Sequence, residues 1–175
     1  MSNVLIGIIG VILFIGLAMA SVVILGEDFM TAGASSRAAA ISSHLQQYST
    51  GINTLAYKRG VILPANSGVN FAQELVNRGA IKSIPRNPVT NAPYYPADQN
   101  GSATANPIRI VYTPMDTSAR AKDVCYAIEE QAGNPDPAAS IATAVAFGTK
   151  FAAQPRLGCF MNPSIGNSYT VYIGV

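Results

Sequence analysis

The sequence predicts an α+β protein that begins with one long helix and ends in a domain of mixed helices and strands. Three observations predict this class. Val4–Leu25 is apolar and carries no charge, an amphipathic pattern without proline continues from Met30 to Arg59, and later segments alternate apolar and polar residues. Once the apolar segment is set aside, about 150 residues remain, which suffices for one globular domain with its own core.

The apolar segment Val4–Leu25 consists mostly of Ile, Leu, Val, Gly and Ala. Because a helix needs roughly 20 apolar residues to cross about 30 Å of hydrocarbon, we expect a retained transmembrane helix here. A cleaved signal peptide is the alternative, since Ala18, Met19 and Ala20 form a small-x-small cleavage site. No Lys or Arg precedes Val4, however, and the apolar run is longer than the core of an ordinary signal peptide.

Small residues recur along this apolar helix. Gly16 and Ala20 form a small-xxx-small pair that allows another helix to approach closely, and Gly7 and Gly10 lie in the same segment. We therefore expect these four residues to contribute to packing between helices. The alternative is that these glycines have no packing role, since glycine is simply common in membrane helices.

The amphipathic part has one apolar stripe at near-heptad spacing. The stripe consists of Ala34, Ala38, Ile41, Leu45, Tyr48, Ile52 and Leu55. The opposite face is expected to contact solvent or a neighbouring subunit, and it carries Arg37, Ser42, Ser43, Gln46, Gln47 and Asn53. Joined to the apolar part, this stretch predicts one helix on the order of 80 Å long at 1.5 Å per residue.

The middle of the chain predicts little regular structure. Gly60–Ser67 is expected to be a connection, and Ile81–Pro107 is expected to be a loop because it contains five prolines. Between them, a short helix is predicted to end at Gly79, a residue type common at helix C-termini. Its apolar face consists of Phe71, Leu75 and Val76.

The C-terminal part contains the clearest strand and a second helix. Ile108–Thr113 alternates apolar and polar residues, with Ile108, Ile110 and Tyr112 expected on one face. The polar cluster at Asp116, Thr117 and Ser118 predicts the N-cap of a helix from about Ala119 to Ala132, closed by Gly133. The inner face of this helix, against the sheet, is expected to carry Val124, Cys125 and Ile128.

The last segments are less uniform. Asn134–Ala139 is expected to be a loop because it contains two prolines. Ile141–Phe151 favours a strand by its period of two, although its alanines also permit a helix. Tyr169–Val175 is rich in β-branched and aromatic residues and predicts a closing strand.

Charge and cysteine content exclude some classes of partner and site. Charged residues make up 11% of the chain, the formal net charge is +2, and the basic residues are scattered. A nucleic-acid site would need a clustered basic stripe, so none is predicted. The two cysteines, Cys125 and Cys159, follow an exported helix and predict one disulfide, with free buried thiols as the alternative.

No constellation of catalytic residues is visible. His44 is the only histidine and lies on the polar side of the long helix, where we expect it to be solvated. Glu129 and Glu130 point about 100° apart on a helix and do not form an obvious acid–base pair. No glycine-rich phosphate loop occurs. We therefore expect neither an enzyme, a cofactor nor a metal site.

The order of these elements resembles the type IV pilins, and more narrowly the type IVb and conjugative-pilus branch. The residues that carry the resemblance are the uncharged N-terminal helix, the proline-rich loop, the strand and helix of Ile108–Ile128 with Cys125, and Cys159 before Tyr169–Val175. The resemblance covers the whole chain, but it concerns the order of elements more than a sharp motif.

The resemblance implies a fold in which the long helix packs on an antiparallel sheet and its apolar half protrudes. It divides the chain into a transmembrane or filament-core helix at 1–29, the amphipathic half at 30–59 and a globular head at 60–175. The head comprises a loop region at 60–107 and a C-terminal region at 125–159, which a disulfide between Cys125 and Cys159 would close.

The resemblance also bears on the N-terminus. Met1 is either the processed and N-methylated terminus of a mature pilin or the methionine encoded by the start codon. Most family members have a glutamate at the fifth mature residue, where it is thought to neutralise a neighbouring subunit's terminal amine, but this chain has Leu5. Burying an unpaired ammonium costs several kcal/mol, so a substitute is needed; Asn3, Glu27 and Asp28 are the nearby polar candidates.

The function implied is that of a major pilin, which is stored in the inner membrane and then assembled into an extracellular filament of identical subunits. A prepilin peptidase and a pilus assembly machinery are the implied partners. Adhesion, aggregation, motility and conjugative contact are the expected roles. The alternatives are a minor pilin or secretion-system pseudopilin, and a monomeric periplasmic binding domain tethered by one transmembrane helix.

Overall fold

The computed structural model describes residues 2–142, 144–145 and 157–175, and within these ranges it describes the side chains of residues 8–19 and those from residue 30 onward. The chain divides into two compact units, Met1–Gly33 and Ala34–Val175. The second unit, called the head below, combines helices with an antiparallel sheet and confirms the predicted α+β class. It includes the second half of the long helix.

The first helix, α1, runs from Ser2 to Arg59 without interruption. Its predicted apolar stripe is confirmed, because all seven residues are buried in the main core of the head: Ala34, Ala38, Ile41, Leu45, Tyr48, Ile52 and Leu55. The predicted polar face is only partly exposed, since Arg37 and Asn53 are half-buried. Ser42 is buried and its hydroxyl donates to Gln131 Oε1 at 3.3 Å, and His44 is half-buried, so neither side chain is simply solvated.

A short second helix, α2, spans Asn70–Asn77 and buries Phe71 and Leu75, as its pattern predicts. Gly79 follows with φ of 67°, the left-handed backbone that glycine adopts at little cost, and this ends the helix. The chain then passes close to α1. A Cβ on Gly51 would lie 3.0 Å from Ile81 Cγ2, so the glycine allows this close approach.

Among the described residues, four strands form one antiparallel sheet in the order β1-β2-β4-β3. The strands are β1 (Tyr95–Ala97), β2 (Ile110–Pro114), β3 (Leu157–Asn162) and β4 (Ser168–Gly174). The predictions for β2 and β4 are confirmed within two residues, whereas β1 lies inside the segment predicted to be loop and β3 was not predicted. Both missed strands lie at the edges of the sheet.

The two faces of the sheet contact different clusters. Val111, Val171 and Ile173 pack into the main core of the head, whereas Ile110 and Tyr172 belong to a smaller cluster with Phe160. Ile108 was predicted to share a face with Ile110, but it packs into the main core because β2 begins only at Ile110.

The third helix, α3, spans Ala119–Gln131 and is capped by Ser118, whose Oγ accepts a hydrogen bond from the amide of Ala121 at 3.2 Å. Its inner face buries Val124, Cys125 and Ile128 completely, and Gly133 follows with φ of 80°. The predicted helix, its cap and its apolar face are therefore confirmed.

A fourth helix, α4, spans Pro137–Ala142 and contradicts two expectations. Asn134–Ala139 is not all loop, because Pro137 begins a helix, a position that suits its fixed φ and missing N–H. The predicted strand Ile141–Phe151 is wrong at its start, since Ile141 and Ala142 end α4. The backbone amide of Val145 donates a hydrogen bond to the carbonyl oxygen of Met161 at 2.9 Å. Residues 143 and 146–151 of the predicted strand lie outside the described residues.

Candidate functional site

The first candidate site is the apolar surface of α1 between residues 8 and 19, called the apolar helix surface below. Nine large apolar side chains in this stretch are 50% to 73% exposed. They are Ile8, Ile9, Val11, Ile12, Leu13, Phe14, Ile15, Leu17 and Met19. Because consecutive helix residues are about 100° apart, these side chains surround the helix on every side. No face of this stretch is polar, which is typical of a helix that is covered all round by lipid or protein.

The glycines predicted to pack between helices lie in α1. A Cβ added to Gly10 or Gly16 would meet nothing within 4 Å, so the chain's own packing does not require glycine there. The positions of Gly7 and Ala20 are within α1, but their surroundings are not described. Met1 lies outside the described residues.

The predicted membrane span finds no support in the part of the chain that the structure describes. In that part, no helix combines the length and the apolar character needed to cross a membrane. The segment Val4–Leu25 includes residues 4–7 and 20–25, whose side chains the structure does not describe.

The second candidate site is the junction of α3 with the sheet, where Cys125 and Cys159 form a disulfide. The Cα atoms of the two residues are 5.4 Å apart, and both side chains are fully buried. The predicted pairing is confirmed, and the alternative of free buried thiols is excluded. The bond connects the inner face of α3 with β3.

A buried carboxylate reinforces the same junction. Glu129 is 1% exposed, and its Oε1 accepts the amide of Cys159 at 2.5 Å. Its Oε2 accepts the side-chain amide of Asn134 at 2.5 Å and the hydroxyl of Ser140 at 2.7 Å. One side chain thus joins α3, the following turn, α4 and β3.

The sequence analysis did not predict a structural role for Glu129. It considered this residue only together with Glu130, as a pair that does not form an obvious acid–base site. Its neighbour Glu130 is exposed, so the two glutamates occupy different environments. The burial of Glu129 could have been inferred from its position in the helix. It lies four residues after Cys125 and therefore on the helix face that buries the disulfide.

The backbone of β3 comes very close to this carboxylate. A Cβ on Gly158 would lie 2.8 Å from the hydroxyl oxygen of Tyr172 and 3.0 Å from Glu129 Oε1. Burial raises the pKa of Tyr172, and the negative charge of Glu129 raises it further, so the phenol stays protonated. Glycine at this position leaves room beside the strand for both the phenol oxygen and the carboxylate.

A second buried carboxylate organises the loop after β1. Asp98 accepts hydrogen bonds from the amides of Asn100 and Ser102 and from the side chains of Thr104 and Asn106. These bonds, led by that of Ser102, lower the pKa of Asp98 to about 2. Its two oxygens are thus used to shape the loop.

His44, the only histidine, lies with Nδ1 3.1 Å from the hydroxyl oxygen of Tyr94. Burial lowers the pKa of His44, because desolvation disfavours the charged imidazolium. Among the described residues, no group of three or more His, Cys, Asp or Glu side chains is arranged to hold a metal ion.

Comparison with known proteins adds no relative, since no family model, curated protein or solved structure matches this chain.

Proposed function

We propose that the chain is the structural subunit of a type IV pilus, a filament held together by the N-terminal helices of identical copies. The observation that carries the proposal is the apolar helix surface. One continuous helix provides a stretch that is apolar on all sides between residues 8 and 19 and a stripe, Ala34–Leu55, that is buried in the head.

The energetics favour assembly once the helix leaves lipid. Burying one large apolar side chain contributes about 1.5–3 kcal/mol relative to leaving it in water. Nine such side chains are exposed between residues 8 and 19, so isolated chains in water would be strongly disfavoured relative to bundled ones. In a bundle, Gly10 and Gly16 have space for a neighbouring helix, since a Cβ there would meet nothing of their own chain.

The proposal assigns the head to the filament surface. A surface domain outside the cell benefits from a covalent link, and the disulfide between Cys125 and Cys159 supplies one in a compartment where disulfides persist. Two large apolar side chains are the most exposed among the described residues of the head, and they are the candidates for contacts between neighbouring heads: Tyr57 at 88% and Ile62 at 67%.

Before assembly, the proposal places Val4–Leu25 in the inner membrane and requires removal of any leader by a prepilin peptidase. With Leu5 in place of the family's glutamate, the amine of the mature terminus needs another partner in the filament. Glu27 and Asp28 of a neighbouring copy are the acidic candidates within the N-terminal segment.

The experiment compares two matched variants in cells that produce the chain. Surface material is sheared off and imaged by electron microscopy, and the composition of any filaments is measured by mass spectrometry. Ile12→Asp places a charge on the apolar helix surface and is expected to abolish filaments. Ile165→Asp makes the same change at an exposed residue of the head and is expected to leave them intact.

Intact-mass analysis shows whether the head of each variant retains its disulfide, so a folding failure is separated from an assembly failure. Filaments in which this chain is the dominant protein support a major pilin. A trace amount in filaments of another subunit indicates a minor pilin, and filaments that persist with Ile12→Asp contradict the proposed assembly surface.

A further inference from the structure

The loop after β1 contains an exposed asparagine that is followed by glycine. Asn100 is exposed, and its side chain has no hydrogen-bond partner in the described parts of the chain. Asn100 is also the one asparagine in the sequence that precedes a glycine. The carboxamide is therefore free to turn toward the backbone nitrogen of Gly101, and no Cβ hinders its approach.

An asparagine and the backbone nitrogen that follows it can react without an enzyme. The nitrogen gives up its proton to water or hydroxide and attacks the side-chain carbonyl carbon. A new C–N bond closes a five-membered succinimide, and the bond to the side-chain nitrogen breaks, so that ammonia leaves. Water then opens the ring at either carbonyl and yields aspartate or isoaspartate.

Two other exposed asparagines lack the combination found at Asn100. Asn106 lies in the same loop, but Pro107 follows it, and a proline nitrogen in the chain has no proton to give up. Asn91 lies in a different turn and is followed by Ala92, whose Cβ hinders the attack. These two residues therefore serve as references within the same molecule.

The backbone nitrogen of Gly101 is held in a turn around Asp98. The Gly101 amide donates to the carbonyl oxygen of Asp98 at 3.0 Å. The amides of the flanking residues, Asn100 and Ser102, donate to Asp98 Oδ1 at 2.8 Å and 3.0 Å. Three consecutive amides thus donate to one residue, and the Gly101 nitrogen has to leave this turn before it can attack.

We propose that Asn100 is a site of spontaneous deamidation and that the turn around Asp98 sets the rate of the reaction. The product adds a negative charge to a loop that is built around the buried carboxylate of Asp98. Older chains therefore differ from newly made ones in the charge of this loop. The site lies in the head, and the reaction does not depend on filament assembly.

The isoaspartyl product also changes the path of the backbone. It adds one atom to the main chain between Asn100 and Gly101, which is incompatible with the turn that Gly101 closes. The same loop accepts two amides from the segment after α1: that of Ala65 at Asn106 O and that of Asn66 at Thr104 O. We expect these two amides to exchange hydrogen faster once isoaspartate has formed.

The experiment incubates the full chain in detergent micelles at mildly alkaline pH, in water enriched in ¹⁸O. Hydrolysis of the ring then places ¹⁸O in the product, which distinguishes conversion during the incubation from earlier conversion. Peptide mapping by mass spectrometry measures the converted fraction at each asparagine, and electron-transfer fragmentation separates aspartate from isoaspartate. The same chain unfolded in urea gives the rate without the turn.

We expect both products at Asn100, formed more slowly than in the unfolded chain. Asn91 and Asn106 are expected to stay unconverted while half of Asn100 reacts. In the isoaspartyl fraction, separated by ion exchange, the amides of Ala65 and Asn66 should exchange faster than in the parent chain. Unchanged exchange at both amides would overturn the proposed effect on the loop.

Variants of the turn test what sets the rate. Asp98→Ala removes the acceptor of two amides and is expected to raise the rate at Asn100 roughly tenfold. Thr104→Ala is milder, since it removes one hydrogen bond to Asp98 Oδ2 and keeps the carboxylate, and it is expected to raise the rate roughly threefold. Asp116→Ala is the matched control, because Asp116 accepts the amide of Ser118 in a different loop, and it leaves the rate unchanged.

Three results would overturn the proposal. The first is that Asn100 in the folded chain stays intact until the unfolded chain has converted completely. The second is that Asn91 converts as fast as Asn100. The third is that Asp98→Ala and Thr104→Ala both leave the rate at Asn100 unchanged.

Discussion

The amide of Cys159 donates a hydrogen bond to Oε1 of Glu129, with 2.5 Å between nitrogen and oxygen. Cys159 also forms the disulfide to Cys125, and Cys125 lies on the same helix as Glu129. A covalent link and a charge-assisted hydrogen bond therefore join α3 to β3 at the same place. This junction holds α3 against an edge strand of the sheet.

Truncating the carboxylate should weaken the junction. Glu129→Ala removes three hydrogen bonds to the carboxylate, from the Cys159 backbone amide, the Asn134 side-chain amide and the Ser140 hydroxyl. We expect the free energy of unfolding to fall by about 3 kcal/mol. Urea unfolding of the full chain in detergent measures this. Glu129→Gln should cost less, because its oxygen still accepts the Cys159 amide.

Glu130→Ala is the control for this prediction, since Glu130 is exposed one residue away. It should change the free energy of unfolding by less than about 0.5 kcal/mol. Equal effects of the two alanine variants would show that Glu129 has no special part in holding β3.

Removing the disulfide should also destabilise the head. The bond links residues 34 positions apart, and loops of this size correspond to about 2–4 kcal/mol. The double variant Cys125→Ala/Cys159→Ala is expected to lose stability by that amount in thermal unfolding, and a reductant should have no further effect on it. A melting temperature that is unchanged in this variant would contradict the role assigned to the disulfide.

Substitution of Gly158 tests the close approach of β3 to Glu129 and Tyr172. In Gly158→Ala, the new methyl group would lie 2.8 Å from the Tyr172 oxygen, so strand or side chain must shift at a cost of about 1–3 kcal/mol. Combining it with Tyr172→Phe removes the oxygen and should recover part of the loss. Additive destabilisation in the double variant would argue against a direct clash.

The stability of the head should depend on Asp98 at acidic pH. Because the folded pKa is about 2 and the ordinary value is 3.8, the ionised carboxylate stabilises the folded state above pH 3.8. This contribution is lost as the pH falls from 3.8 to about 2. Asp98→Asn should be less stable at neutral pH, and its stability should fall less steeply than that of the parent chain between these two pH values.

Melting temperatures measured at intervals between pH 7 and pH 2 provide the comparison. Parallel curves for the parent chain and Asp98→Asn would show that the hydrogen bonds to Asp98 do not stabilise the loop.

The parts of the fold that were predicted correctly are those with a strong local pattern. The stripe from Ala34 to Leu55 has the spacing of three and four residues that only a helix turns into one face, and the structure buries every member. Ser118 and Gly133 mark the ends of α3 through local hydrogen bonds and backbone conformation, which also depend on few residues.

The missed elements depend on contacts with distant parts of the chain. β1 has three residues with a proline in the middle, and β3 includes Gly158, so neither has the composition of a strand. Both are strands because β2 and β4 offer them hydrogen-bonding partners. The burial of Glu129 likewise requires Cys159, 30 residues later, which no local pattern reveals. The two prolines of Asn134–Ala139 predict a loop, but a proline is also common at the first position of a helix, and Pro137 begins α4.

Photo-crosslinking from residue 13 tests the central claim most directly. A diazirine-bearing amino acid replaces Leu13 on the apolar helix surface, and surface filaments are irradiated before the products are mapped by mass spectrometry. We predict covalent dimers joined between residue 13 of one copy and residues 8–19 of another. Absence of any chain–chain product in irradiated surface material, with crosslinks only to lipid or within a single chain, would contradict assembly through this helix.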